Sequence, residues 1–177
     1  SSSTLGANDI VISGSAAAAG QISRSENGRY ILIPGYNALI GAANTTFTTN
    51  SVVRTLNGSG TMGAGISGAF YSSGNNNLRG ATSDDGTNFW MSGSSLGIIH
   101  TTASSPTTLT TVSSTSTNNR AVFIFNGQLY LTTGAGSQGI YSVGTGKPTT
   151  ASTAASRLFT PTNNDVYGFA ISPDGLT

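Results

Sequence analysis

The apolar residues of this chain fall in short runs separated by stretches of Gly, Ser, Thr and Asn. Ile10–Ile12, Tyr30–Ile33, Val52–Leu56, Phe89–Met91, Ala121–Phe125 and Leu129–Leu131 are the clearest. Runs this short, rich in β-branched and aromatic residues and bounded by turn formers, predict strands. Helical periodicity is almost absent. Ala16 to Ala19 is bracketed by Gly14 and Gly20, and four alanines fall far below the roughly 12–15 residues at which a helix stands alone.

The runs recur behind a common turn. Asn27-Gly28 precedes Tyr30-Ile31-Leu32-Ile33, Asp85-Gly86 precedes Phe89-Trp90-Met91, and Asn126-Gly127 precedes Leu129-Tyr130-Leu131. Pro173-Asp174-Gly175 begins a fourth copy. Asn-Gly and Asp-Gly accept the positive φ angles of tight hairpins. The turn glycines lie 58 residues apart (28 to 86), then 41 (86 to 127), then 48 (127 to 175). A unit of about 40–50 residues with four short strands is the size of a β-propeller blade.

The fold class expected is therefore all-β: propeller blades of four-stranded antiparallel sheets, three complete and a fourth begun. The blades are placed at residues 21–57, 78–114, 119–158 and 166–177, within a single domain. In the first, the strands are Gln21–Arg24, Tyr30–Ile33, Ala38–Ile40 and Val52–Leu56, and residues 57–76 are a connection anchored by Ala69-Phe70-Tyr71. The second has Arg79–Ser83, Asn88–Met91, Gly97–Thr101 and Thr108–Val112. The third has Arg120–Phe125, Leu129–Thr132, Gly139–Val143 and an outer strand within Thr149–Leu158. Val166–Ser172 opens the fourth, and Asp9–Ser13 is a further strand ahead of the first blade.

Composition narrows the partners. Only 7% of residues are charged, and seven Lys and Arg against six Asp and Glu leave a net charge of +1. Nothing gathers these charges into a basic patch, which disfavours nucleic acid. No apolar run is long enough for a membrane span. Cysteine is absent, which excludes disulfides and thiolate zinc sites. A surface made polar by Ser, Thr and Asn instead of charge suits an extracellular or cell-surface location. The chain opens on Ser1 and stops just after the Asp174-Gly175 turn, so it is read as an internal part of a longer protein.

Val166-Tyr167-Gly168-Phe169-Ala170-Ile171-Ser172-Pro173-Asp174-Gly175 resembles the opening of a YVTN-type or lactonase-type propeller blade. From Gly6 onward the chain is similar to propeller-like regions of secreted bacterial proteins without assigned function. The resemblance implies a secreted bacterial β-propeller repeat region, with the remaining blades or a self-assembly partner covering the end sheets. Its motifs are structural, so it carries fold further than function.

Candidate chemistry is sparse. Thr82-Ser83-Asp84-Asp85-Gly86-Thr87-Asn88-Phe89 approximates the Asp-box turn of sialidase-like propellers and departs from it at Asn88 and Phe89. Asp84 and Asp85 are weak calcium candidates, since calcium takes six to eight oxygens; a hairpin turn is the plainer reading. His100 is the only histidine and has no Gly-x-Ser-x-Gly elbow to serve, because Gly93-Ser94-Ser95-Leu96-Gly97 has the wrong spacing. Tyr30, Trp90 and Tyr130 would stack on sugars in a glycan-binding module and pack between blades in a propeller; the second reading is preferred. Asn44 and Asn57 head glycosylation sequons. No catalytic residue and no cofactor is assigned. The function expected is a non-catalytic extracellular scaffold or binding module. The alternatives are a glycosidase- or lactonase-like propeller hydrolase and a structural subunit of an extracellular fibre or surface layer.

Overall fold

The computed structural model describes residues 10–13, 16–41, 50–71, 77–134, 136–162 and 164–172. Twelve strands and no helix occupy them. The first sheet contains β1 (Ser23–Arg24), β2 (Tyr30–Tyr36), β3 (Ser51–Asn57) and β4 (Met62–Gly68). The middle sheet contains β5 (Leu78–Ser83), β6 (Asn88–Gly93), β7 (Ile98–Thr102) and β8 (Ser105–Ser113). In the last sheet are β9 (Asn119–Phe125), β10 (Gln128–Thr133), β11 (Gly139–Val143) and β12 (Ala155–Phe159). Each sheet is a four-stranded antiparallel meander in chain order.

The turns between first and second strands are built as their residues demand. Gly28, Gly86 and Gly127 have φ of 74°, 96° and 74°, and Asn126 has 47°. That left-handed region is cheap for glycine and tolerable for Asn.

The sheets stack face to face. On β6, Trp90 pairs with His100 and Met91 with Ile99, so successive side chains leave opposite faces. Phe89, Met91 and Ile99 join Leu32, Tyr36, Val53 and Ile66 in a core shared with the first sheet. Trp90, Ile98 and Val112 join Val122, Leu129, Leu131, Tyr141 and Val143 in a core shared with the last. Burying one such side chain is worth about 1.5–3 kcal/mol. With so few charges, these two cores are the main favourable term.

Buried polar groups tie the cores together. The Tyr36 hydroxyl accepts from the Leu78 N–H at 3.0 Å. The Tyr71 hydroxyl donates to the Met91 carbonyl at 3.1 Å, and burial pushes this phenol far above its ordinary range. Trp90 Nε1–H donates to the Pro148 carbonyl at 2.7 Å. The first strands also run side by side. Gln21 N–H donates to Arg79 O at 2.8 Å, and Gln21 and Gly80 form a parallel bridge.

Several strands differ from the sequence-based expectation. Ala38–Ile40 is not a strand; the chain turns there after β2, which runs on through Pro34 to Tyr36. The fourth strand of the first sheet is Met62–Gly68, inside the stretch expected to be a connection. That sheet thus ends at Gly68 and not at residue 57. Glycines conceal β4, since in sequence they mark loops. In the sheet they permit close approach. A Cβ on Gly63 would lie 2.5 Å from Thr55 Oγ1, and one on Gly65 would lie 1.9 Å from Val53 O. The register of β3 and β4 shifts at this point, between Val53 and Thr55, as at a bulge. Within the expected strand Asp9–Ser13, Val11 makes a single bridge to Tyr36; Asp9 lies outside the described residues.

Val166–Ser172 forms no ladder. It crosses the outward face of the last sheet instead. Phe169 meets Phe123 edge-on at 5.2 Å and Tyr130 at 6.1 Å between ring centres. Pro173–Thr177, the rest of the expected fourth blade, lies outside the described residues.

Gly65 sits at φ 57° against a backbone oxygen. Gly65→Ala should lower the free energy of unfolding by about 1–3 kcal/mol in urea melts. Gly58→Ala, at a position with open space around it, should change it by under about 0.5 kcal/mol.

Candidate functional site

The acid pair lies in the loop between β5 and β6. Ser83 Oγ accepts from Gly86 N–H at 2.9 Å and donates to Asn88 O at 2.6 Å. Asp84 Oδ1 accepts from the N–H groups of Asp85 (2.7 Å) and Asn88 (3.0 Å), and Oδ2 accepts from Asn88 Nδ2 at 2.7 Å. Asp85 Oδ1 accepts from Thr87 N–H at 2.9 Å. This is Asx-turn chemistry. Burial works against the Asp84 carboxylate, but the hydrogen bonds from Asn88 and Asp85 outweigh it and hold its pKa below the usual range. A calcium ion at Asp84 would have to displace these donors. Among the described residues no three His, Asp or Glu side chains gather as a metal site would need.

The Asp84 network continues to His100. Asn88 Oδ1 lies 3.1 Å from His100 Nε2, and the His100 ring lies 5.1 Å from that of Trp90. His100 is buried in β7. Burial lowers its pKa, with the Asp84 charge acting in the opposite sense. Asp84, Asn88 and His100 therefore form a polar chain ending on an indole. It resembles the orienting half of an acid–base site. The Ser83 hydroxyl at this loop donates to backbone.

A second polar cluster, unmarked by any motif, joins the turns of different sheets. Glu26 N–H donates to Ser83 O at 2.9 Å, and Asn27 N–H to Asp84 O at 3.0 Å. The Glu26 side chain accepts from Gly127 N–H at 2.8 Å and pairs with Lys147. Glu26 thus touches both other sheets. Nearer the other end of β5, Arg79 Nη1 donates to Asn118 Oδ1 at 2.6 Å and to Asn119 O at 3.0 Å. Desolvation, then the nearby Arg120, lowers its pKa to about 10. Arg120 pairs with Asp165 and lies 5.2 Å from the Tyr167 ring centre. These residues lie far apart in sequence and follow no spacing rule, so only the fold reveals them.

The aromatic trio divides. Trp90 is core. Tyr130 lies under Phe169. Tyr30 is half-buried, its ring beside Gly86, and with Arg29, Asn57 and Ser59 it lines an open cleft of about 370 Å³. Asn57 Oδ1 accepts from Ser59 N–H, Ser59 Oγ and Thr61 N–H at 3.1, 2.7 and 2.9 Å, so this sequon asparagine closes the β3–β4 turn. Asn44 lies outside the described residues. No family model, curated protein or solved structure matches the chain.

His100 gives a pH signature. Its folded pKa lies below the unfolded value of about 6.5, so the unfolded state binds the proton more readily. The stability this confers is complete above that value and is lost as pH falls through the folded pKa. Urea midpoints should drop between pH of about 8 and about 5, and His100→Gln should flatten that drop.

Proposed function

We propose that the chain is a non-catalytic scaffold or binding module of a secreted or surface protein of bacterial type, its three sheets serving as β-propeller blades. Face-to-face stacking with neighbouring first strands supports the propeller part. One observation carries the functional part: among the described residues the acidic side chains are engaged in holding the fold. Glu26 clasps Lys147 and the Gly127 turn, Asp84 and Asp85 close their own loop, and Asp165 pairs with Arg120. A hydrolase needs an acid or base able to reach substrate.

The hydrolase alternative rests on Asp84, Asn88 and His100. Glycoside and lactone substrates separate the two readings. The scaffold account expects no turnover above buffer from the purified chain. Turnover that disappears in Asp84→Asn or His100→Gln, with circular dichroism unchanged, would establish the enzyme instead.

A further inference from the structure

The arginines divide into two groups. Arg79 and Arg120 hold junctions. Arg54 Nη1 donates to the Ala64 carbonyl at 2.6 Å, and Arg157 Nε to the Tyr141 hydroxyl at 2.6 Å. Arg24 and Arg29 differ from these. Both are exposed, and both belong to the first hairpin. Among the described residues neither guanidinium has a hydrogen-bonding or ionic partner.

The two flank one cavity. Arg29 lines the open cleft of about 370 Å³ with Gly28, Tyr30, Asn57, Gly58 and Ser59. The Arg24 guanidinium rests on Gly28, where an added Cβ would lie 2.8 Å from Arg24 Cζ. The Tyr30 ring is seated against Gly86, where an added Cβ would lie 3.1 Å from it. The Tyr30 hydroxyl has no hydrogen-bond partner among the described residues. Asn57 Oδ1 takes three bonds from its own turn, and its Nδ2 is likewise left unpaired there. None of the described lining residues is acidic. The cleft therefore gathers unpaired donors around one fixed ring.

This site lies on neither end face of the stack. Tyr30 has the parity of Leu32, and both belong to the core between the first and middle sheets. Residues 1–9 and 42–49 adjoin described chain at the opposite end of β2. There Val11 bridges Tyr36, and Asn37 N–H donates to Asn50 O at 2.9 Å. Tyr30 stands about 20 Å away along the strand.

Unpaired donors beside guanidiniums suit an anionic acceptor, and arginine matches a carboxylate in bidentate geometry. The ring offers apolar area to one ring of a ligand. The volume lies at the lower end of small-molecule clefts, roughly 300–1,000 Å³. A uronic acid unit meets all three conditions, with a carboxylate, hydroxyls and a C–H ring face. We infer that the cleft binds acidic saccharides of the uronate kind, with Arg29 taking the carboxylate, Asn57 and Tyr30 the hydroxyls, and Arg24 adding charge at the rim. This gives the binding-module reading a ligand class and rests on that reading.

Isothermal titration with trigalacturonate tests it. Its methyl ester, which keeps rings and hydroxyls and loses the charge, is the comparison. Saturable binding is expected, about tenfold or more weaker for the ester, and weaker as NaCl rises from about 0.05 to about 0.5 M. Arg29→Ala should weaken binding by about tenfold or more with the circular dichroism of the wild type. Arg157→Ala, which removes another exposed guanidinium, should leave it unchanged. Equal affinity for the ester, tighter binding of adenosine monophosphate, no saturation by about 10 mM, or wild-type affinity in Arg29→Ala would overturn the inference and leave the scaffold reading standing. Chromatography of the titrated sugar distinguishes the other failure. Shortened products would overturn the non-catalytic reading, while binding lost in Arg29→Ala would still uphold the site.

Discussion

Phe89 and Met91 project from one side of β6, and Trp90 from the other, which leaves that strand without a solvent face. The other two sheets are fixed by this burial. Both must present apolar surface to the middle sheet, and both do so with the same device, alternate residues of central strands. Edge strands then carry the polar load. β8 is largely exposed and rich in Ser and Thr, as a solvated edge should be.

Polar groups act inside that constraint as register marks. Tyr36, Tyr71 and Trp90 each reach a backbone group of another sheet or of the loop beyond it. A misaligned sheet would strand these groups without partners, at a cost of about 1–3 kcal/mol each. The ion pairs of Glu26 and Arg120 lie between sheets or between a sheet and its covering segment. So thinly charged a chain has few such side chains, and their location at junctions is why they are read as structural.

Much of this was legible in sequence. Hairpin glycines at 28, 86 and 127 and the apolar runs behind them mark second strands correctly, because turn chemistry and period-two alternation are local properties. Trp90 was identifiable as core for the same reason, whereas the same reading fails for Tyr130, because its neighbours Leu129 and Leu131 take the core-facing positions of β10. β4 was not, because its glycines serve a close approach to β3 that exists only after folding. Val166–Ser172 reads as a strand, yet it has no ladder, since strand formation requires a neighbour to pair with. Asp84 and Asp85 were legible as a turn; the extension of Asp84 through Asn88 to His100 was not, because β7 brings the histidine in from another strand. Glu26, Lys147 and Arg120 carried no signal at all.

Amide hydrogen exchange resolved by residue tests the stacked-sheet account most directly. If both faces of the middle sheet are covered, the amides of β6 and its neighbours β5 and β7 exchange only through global unfolding and are the slowest in the chain. Those of β8 and β12 exchange earlier, through local opening. Exchange of β6 as fast as that of β12 would mean that one face of the middle sheet is open to water, and would contradict the account.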